Sequence, residues 1–530
     1  MQTTETSTPA DCDLLIVGGG VNGAGIARDA AGRGLSVVLC ERDDLASHTS
    51  SSSTKLIHGG LRYLEHYEFG LVRKALQERE ILLRNAPHIM RPLRFVLPHD
   101  PSMRPAWMMR IGLFFYDHLA RRKLLGASEG IDLRRHEAGQ ALKPTFTRGF
   151  VYSDGWVDDA RLVVLNAVGA AGKGAVVLPR TECVSAVAAG DTAAGGWVAT
   201  LRSGNGGTRQ LRARALVNAT GQWAASFLRQ GTRRERTRAL RLVKGSHIVV
   251  PRMFDHSMAY ILQSPDKRIV FAIPYEQDFT LIGTTDVEQE GGPGEARISA
   301  AEVDYLCGLI NRYFRQSITP ADVVWSYSGV RPLMEDESGD PSVVTRDYSL
   351  ELLPNGPPCL TVWGGKITTY RKLAEEAVDL LQPVLSPLVK QMSGPWTLNA
   401  PLPGGDFASL LGRLPDGELG FDRLCGLVRE RHPWLPAQLV KRYVSSYGTL
   451  YSDVIGDAQS LVDLGEEVAP GLFEAELHYL CRVEWARSAD DVLWRRSKLG
   501  LHLDKLQQQA VADWLAGAAV KPAATQGLAR

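Results

Sequence analysis

Asp13-Leu-Leu-Ile-Val-Gly-Gly-Gly-Val-Asn-Gly-Ala-Gly-Ile-Ala-Arg28 decides the fold. Residues 14–17 are a short apolar run of the kind that forms a buried parallel strand. The run stops at Gly18, Gly19 and Gly20, where a side chain would block a tight turn. Ile26, Ala27, Ala30 and Ala31 then follow at helical spacing. Strand, glycine turn and helix open a dinucleotide-binding βαβ unit. In Gly18-x-Gly20-x-x-Gly23 the first glycine makes the turn, the second lets the backbone approach a pyrophosphate, and the third lets helix and strand pack closely. The helix N-terminus offers N–H groups and a positive dipole to that anion. Residues 35–40 read as the next strand. Glu41 at its end can accept hydrogen bonds from a ribose 2′-hydroxyl, which favours FAD or NAD over NADP.

The other bounds are set by composition. At 530 residues the chain is too long for one core and splits into two or three domains. A net charge of +1 advertises no nucleic-acid partner. The seven cysteines, at 12, 40, 183, 307, 359, 425 and 481, form no C-x-x-C pair, so neither a zinc site nor a disulfide framework is expected and no metal is assigned. They fit reduced thiols in a cytoplasmic setting. Residues 1–12 lack the basic start and apolar core of a signal peptide and read as a tail. No apolar run approaches the length needed to span a bilayer.

Beyond Glu41, the hydroxyl-rich run His48-Thr49-Ser50-Ser51-Ser52-Ser53-Thr54-Lys55 leads into Leu56-Ile-His58-Gly59-Gly60-Leu-Arg62-Tyr63. Hydroxyls and backbone N–H groups beside a dinucleotide can hold phosphate and ring edges. Gly59 and Gly60 permit close approach to a flat ring, with His58, Arg62 and Tyr63 projecting into one pocket. Residues 68–86 read as a helix ended by Pro87. In 107–123, Trp107, Ile111, Phe114, Phe115 and Leu119 recur at helical spacing among Arg110, Arg121, Arg122 and Lys123. That pattern serves either a buried helix with a basic end or a membrane-surface helix. Asp158 reads as a helix cap. Ala219-Thr220-Gly221 after a strand is a second strand-then-glycine element, and Gly364-Gly365-Lys366-Ile367-Thr368 is a third. Residues 241–250 and 268–286 alternate as in an antiparallel sheet, with Lys244, His247, Thr284 and Thr285 as candidate lining residues. The strand 323–327 is expected to end in a stiffened turn, Ser328-Gly329-Val330-Arg331-Pro332, presenting Arg331 to an oxyanion. Beyond 395–405, rich in Pro and Gly, helical stripes at Leu439, Val440, Tyr443, Val444, Tyr447 and at Leu477, Cys481, Trp485 imply a helical domain.

These motifs together resemble the FAD-dependent glycerol-3-phosphate dehydrogenases of the respiratory, membrane-associated type. The resemblance rests on GGGVNGAGIA, SSTKLIHGGLRYLEHYEFGLV, RPAWMMRIGLFFYDHL, SDGWVDDARL, LVNATGQW, KGSHIVVP, IGTTDVE, YSGVRPL and GGKITTYRKLAE, all in one order. It implies an α/β fold: a Rossmann-like FAD-binding domain of the glutathione-reductase and D-amino-acid-oxidase type, an antiparallel-sheet substrate domain, and a C-terminal helical domain. The expected boundaries are 13–90, 150–225 and 323–390 for the FAD-binding domain and 91–149 with 226–322 for the substrate and membrane-facing domain. A linker at 391–405, a helical domain at 406–520 and a tail at 521–530 follow.

The resemblance further implies non-covalent FAD, oxidation of sn-glycerol 3-phosphate to dihydroxyacetone phosphate, and electron transfer to a membrane quinone. His58 is then the expected base, since a histidine's ordinary pKa of about 6.5 suits the work. Arg62 and Arg331 are expected to hold the phosphate, with Lys366 at the phosphate or flavin edge and Tyr63 and Thr285 on the substrate. Gly18, Gly20, Gly23, Glu41, Thr49, Ser50, Ser51, Ser52, Lys55, Gly59, Gly60, Ala219, Thr220, Gly221, Gly364, Gly365, Lys366 and Thr368 are expected around the cofactor. Under this resemblance Trp107–Lys123 becomes the contact with the inner face of the cytoplasmic membrane, strengthened if a homodimer presents two such helices. Alternatives are a glycerol-3-phosphate oxidase using dioxygen, an amine or amino-acid oxidase whose Arg331 binds carboxylate, and a flavoprotein with no catalytic role.

Overall fold

The protein's computed structural model describes residues 10–519, apart from 101–103, 191–194, 234–237, 267, 290–292, 295, 335–346, 354 and 390. The side chains of Arg62, Glu65, His66, Ala518 and Ala519 are also outside the described set. The expected tails therefore fall almost wholly outside it. Two units result, residues 1–402 with 415–419, and residues 403–414 with 420–530.

The first unit contains two sheets. The apolar run at 14–17 lies within the strand Cys12–Val17, in the middle of an eight-stranded sheet. It pairs in parallel with Val37–Cys40 on one side and Thr208–Asn218 on the other. Val176–Leu178 and Cys359–Trp363 extend the parallel set at either end. Burial on both faces explains why these strands read as continuous apolar runs. The helix Val21–Gly32 packs against Asp159–Ala171 and Tyr370–Leu385. Asp158 caps the second of these helices, its carboxylate accepting from Arg161 N at 3.0 Å, as the sequence predicts.

Gly18 and Gly23 show why the fingerprint needs glycine. Gly18 has φ +111°, and a Cβ there would sit 2.5 Å from Ala219 O. A Cβ on Gly23 would sit 1.9 Å from Gly18 O, so helix and strand close on each other only without one.

The second sheet has ten strands, antiparallel except where Ala259–Gln263 pairs in parallel with Met90–Pro98. Leu240–Pro251 lies one strand in from an edge of this sheet, between Phe279–Gly283 and Trp325–Met334. The helix Ala300–Tyr313 packs its apolar side into this sheet's core, started by a capping box between Ser299 and Glu302. Two features differ from the sequence reading. The strand expected to stop at Tyr327 runs on to Met334, in register with Leu240. Among the described residues Leu240–Pro251 is its only partner, so it is an edge strand there, where Pro332's missing N–H is tolerated. Leu56–Ile57 and Arg148–Val157, expected in the dinucleotide domain, also join the second sheet.

The C-terminal unit is mainly helical, with Leu439, Val440, Tyr443, Val444 and Tyr447 on the buried side of Ala437–Tyr447. The stripe through Leu477 ends early. The helix Glu474–Val483 stops before Trp485, which has φ +56°.

Candidate active site

In an open parallel sheet, ligands bind beyond the carboxyl ends of the strands. Four segments meet there. Gly18 and Gly20 follow Cys12–Val17, Glu41 follows Val37–Cys40, Ala219, Thr220 and Gly221 follow Thr208–Asn218, and Gly364, Gly365 and Lys366 follow Cys359–Trp363. All of these residues line one cavity of about 450 Å³, within the range of small-molecule sites. Glu41 is buried, and its carboxylate accepts from Gly19 N at 2.6 Å and Asp43 N at 3.0 Å. Burial pushes its pKa up against those two donors.

The hydroxyl run is ordered, and its residues divide by direction. Thr49, Ser50 and Ser52 line the cavity. Ser50 Oγ accepts from Val21 N at 3.0 Å at the helix N-terminus, and Thr49 Oγ1 donates to Val330 O at 2.8 Å. Ser51 is turned away from the lining, its hydroxyl 3.3 Å from His48 O. Lys55 does not reach the cofactor position either. It is fully buried, with Nζ 2.7 Å from Asp159 Oδ1 and 3.2 Å from Ser51 O. It anchors the run from behind.

Gly59 and Gly60 correct the expectation of a ring contact. Neither lines the cavity. Gly59 N donates to Tyr116 Oη at 2.8 Å, and a Cβ there would meet Leu76 Cδ2 at 2.5 Å. Gly60 has φ +76°, and a Cβ would meet the Tyr63 ring at 2.2 Å. Both are glycine because protein packs on them. Gly23, likewise off the lining, serves the helix–strand contact alone.

His58, Tyr63, Arg331, Lys366 and Thr368 line the same cavity as the glycine cradle. His58 N donates to Thr368 Oγ1 at 3.3 Å, and Lys366 Nζ lies 4.0 Å above the Tyr63 ring. Arg331 donates to Thr284 Oγ1 at 3.0 Å and forms an ion pair with Asp286. Arg62's side chain is outside the described residues. Thr285 is not a lining residue. It is buried, its hydroxyl donates to Glu302 Oε1 at 2.8 Å, and Ser246 N donates to it at 2.9 Å. Thr284 and Thr285 follow the strand Phe279–Gly283, and their side chains diverge: Thr284 reaches Arg331 and Thr285 the buried Glu302.

The structure adds residues that sequence reading left unassigned or weakly placed. His247 is 1% exposed, lines the cavity and stacks on Tyr327 at 4.8 Å. Its Nε2 is 2.9 Å from Thr54 Oγ1, and its Nδ1 has no hydrogen-bond partner among the described residues. Burial, then the charges of Arg331 and Lys55, hold its pKa well below the usual histidine value, so the imidazole is neutral. Trp223 carries the Arg42 guanidinium 4.0 Å above its ring and the His48 ring edge-on at 4.8 Å. Only spatial proximity joins these last three residues, so no local pattern could reveal them.

A glycine cradle at a helix N-terminus, a buried carboxylate at the adjoining strand end and an orphaned imidazole nitrogen in the wall all suit FAD. Residues 13–371 match the family model of the FAD dependent oxidoreductases, and residues 396–519 match the C-terminal domain of alpha-glycerophosphate oxidase. Glycerol-3-phosphate dehydrogenase of Pseudomonas aeruginosa is 51% identical over 95% of this chain and 94% of its own length. The chain belongs to the FAD-dependent glycerol-3-phosphate dehydrogenase family.

FAD is accordingly the cofactor of this family member. D-erythritol 1-phosphate dehydrogenase of Brucella abortus is also similar, at 49% identity over 96% of this chain and 98% of its own. The crystal structure of glycerol-3-phosphate dehydrogenase from Bacillus halodurans, complexed with FAD, superposes with a TM-score of 0.74. It is 27% identical and covers 97% of this chain and 91% of that one. Family membership agrees with the expected α/β architecture and the helical C-terminal domain.

Proposed function

We propose that the chain oxidises sn-glycerol 3-phosphate to dihydroxyacetone phosphate and that the electrons leave to a membrane quinone. The observation that carries this reading is the shared cavity: His58, Tyr63, Arg331 and Lys366 line the same space as the glycine cradle. Bound FAD supplies a two-electron acceptor for hydride. Arg331 and Lys366, with Arg62, hold the phosphate, Tyr63 hydrogen-bonds the substrate, and His58 takes the hydroxyl proton as the carbinol C–H breaks.

The test is anaerobic titration of the purified flavoprotein with glycerol 3-phosphate. Stoichiometric bleaching of the flavin absorbance is expected; a spectrum that does not change ends the proposal. Erythritol 1-phosphate, the substrate in the name of the Brucella relative, is run in parallel. Faster bleaching by it would reassign the substrate to the longer polyol. Peroxide yield with and without a quinone analogue separates the dehydrogenase from an oxidase.

The reading extends to a bilayer. No described helix is long and apolar enough to cross one. The helix Ala106–His118 buries Leu113, Tyr116 and Asp117 and exposes Trp107, Met108, Ile111, Phe114 and Phe115. Phe69 continues this apolar surface, its ring 6.2 Å from Phe115, and Tyr67 lies 6.3 Å beyond. A patch this rich in exposed aromatics marks an interaction surface, and its helix has the make-up of an interfacial one. Arg121 and Lys123 are exposed beside it, while Arg122 is spent on Asp117 at 2.9 Å. The protein then sits on the inner face of the cytoplasmic membrane, as a homodimer if two such helices are to bind with avidity. Replacing Phe114 and Phe115 with Ser forfeits ~2 kcal/mol of apolar burial each. Co-sedimentation with anionic liposomes should be lost while dye-coupled activity stays. Undiminished sedimentation would exclude this face.

A further inference from the structure

The guanidinium assigned to the substrate's phosphate is already engaged. Arg331 Nη1 is in an ion pair with Asp286 Oδ1, and Nη2 donates to Thr284 Oγ1 at 3.0 Å. Both acceptors follow the strand Phe279–Gly283, whereas Arg331 is carried by Trp325–Met334, on the opposite side of Leu240–Pro251. The pair is not sealed in. The side chains of Arg331 and Asp286 remain 26% and 23% exposed, and Arg331 lines the cavity. A guanidinium has five N–H donors. Two point at Thr284 and Asp286, and the other three, with no partner among the described residues, remain to meet a phosphate from a different direction. A phosphate arriving on Arg331 therefore arrives beside a carboxylate.

The charges around the pair make that carboxylate consequential. Lys366, on the same cavity wall, is a second cation for the phosphate. His247 faces Arg331 as a neutral imidazole and adds no charge. Lys55 is neutralised by Asp159 at 2.7 Å. Of the other carboxylates near this strand pair, Glu288 is taken by Arg241 at 2.8 Å, and Glu302 by Lys244 at 2.8 Å and by the hydroxyls of Ser246 and Thr285. Asp286 is thus the anion in direct contact with the phosphate-binding guanidinium.

We propose that Asp286 is a counter-charge that competes with the substrate phosphate for Arg331, setting how tightly the site holds a phosphorylated polyol and how readily the phosphorylated product leaves. This rests on the reading of Arg331 as the phosphate ligand. Asp286 keeps the guanidinium oriented when no phosphate is bound. When phosphate is bound, it repels the dianion across the shared arginine. Affinity for substrate and product is held down together, which favours turnover over retention.

Asp286→Asn tests this, because the amide oxygen can still accept from Nη1 while the charge is gone. KM for glycerol 3-phosphate and the inhibition constant of inorganic phosphate should both fall roughly tenfold, with kcat falling as product release slows. The gap from wild type should narrow as salt rises, because the pair is partly exposed. Asp286→Glu, which keeps the charge, should retain the wild-type salt dependence. Asp286→Ser makes the same comparison if the amide disturbs folding, judged by FAD content. A merely structural aspartate would raise KM or lower Tm without moving the salt dependence. If Arg331→Ala raises KM but phosphate inhibition is unchanged or weaker in Asp286→Asn, the counter-charge is refuted. If Arg331→Ala leaves KM unmoved, the phosphate assignment falls and this inference with it.

Discussion

Replacing His58 with alanine is expected to lower the rate of anaerobic flavin reduction by roughly 10²- to 10⁴-fold, the usual worth of a positioned general base, with FAD still bound. Alanine keeps the backbone contacts of the segment. The main-chain N of residue 58 still donates to Thr368 Oγ1, and Gly59 N still donates to Tyr116 Oη. The turn therefore stays in place and the loss reports the imidazole. Stopped-flow mixing with glycerol 3-phosphate measures it directly. A reduction rate equal to wild type would remove His58 as the base. The role would then pass to His247, whose neutral ring faces the cavity with Nδ1 unpartnered among the described residues.

The second large effect is expected at Arg331. Its replacement by alanine removes the guanidinium and leaves Asp286 without its ion-pair partner. Lost charge-assisted hydrogen bonds to a phosphate are worth ~3 kcal/mol, so KM should rise by about 10²-fold. The exposed carboxylate adds repulsion in the same direction. The step at the carbinol carbon keeps His58 and FAD, so kcat should change far less. Steady-state kinetics with varied substrate separates the two parameters. A collapse of kcat at constant KM would place Arg331 at the reacting carbon instead.

How much of this was legible in the sequence follows from how local each feature is. The glycine fingerprint could be read because part of its constraint is local: Gly23 is forced by the carbonyl of Gly18, and Gly18 by its own positive φ as well as by Ala219. The Ser/Thr run was legible as a site but not residue by residue. Which hydroxyls face inward is fixed by Val330 and Asp159, 281 and 106 residues away from the groups they bind. Gly59 and Gly60 stand out in the sequence for their conformational freedom, yet the partners that demand it are Tyr116, Leu76 and Tyr63. The residues around Arg331 suggest a turn presenting it to an oxyanion, whereas the structure carries it on a paired strand. Gly329 and Pro332 look like a turn until Leu240–Pro251 is seen to pair along the whole edge strand. Thr284 and Thr285 are chemically identical, and only their tertiary partners distinguish the one at the arginine from the one at Glu302. The amphipathic pattern at 107–123 fitted both a core helix and a surface helix, and the structure leaves its aromatic side uncovered.

The cavity draws its wall from Val17 at one extreme and Thr368 at the other. A nascent chain emerging from the ribosome with the fingerprint complete still lacks the strand ends and the Gly364-Gly365-Lys366 turn that close the space. Flavin loading therefore waits until more than two-thirds of the polypeptide has been made. A premature stop anywhere upstream of that turn is expected to yield a product that purifies without the prosthetic group, however intact its first βαβ unit.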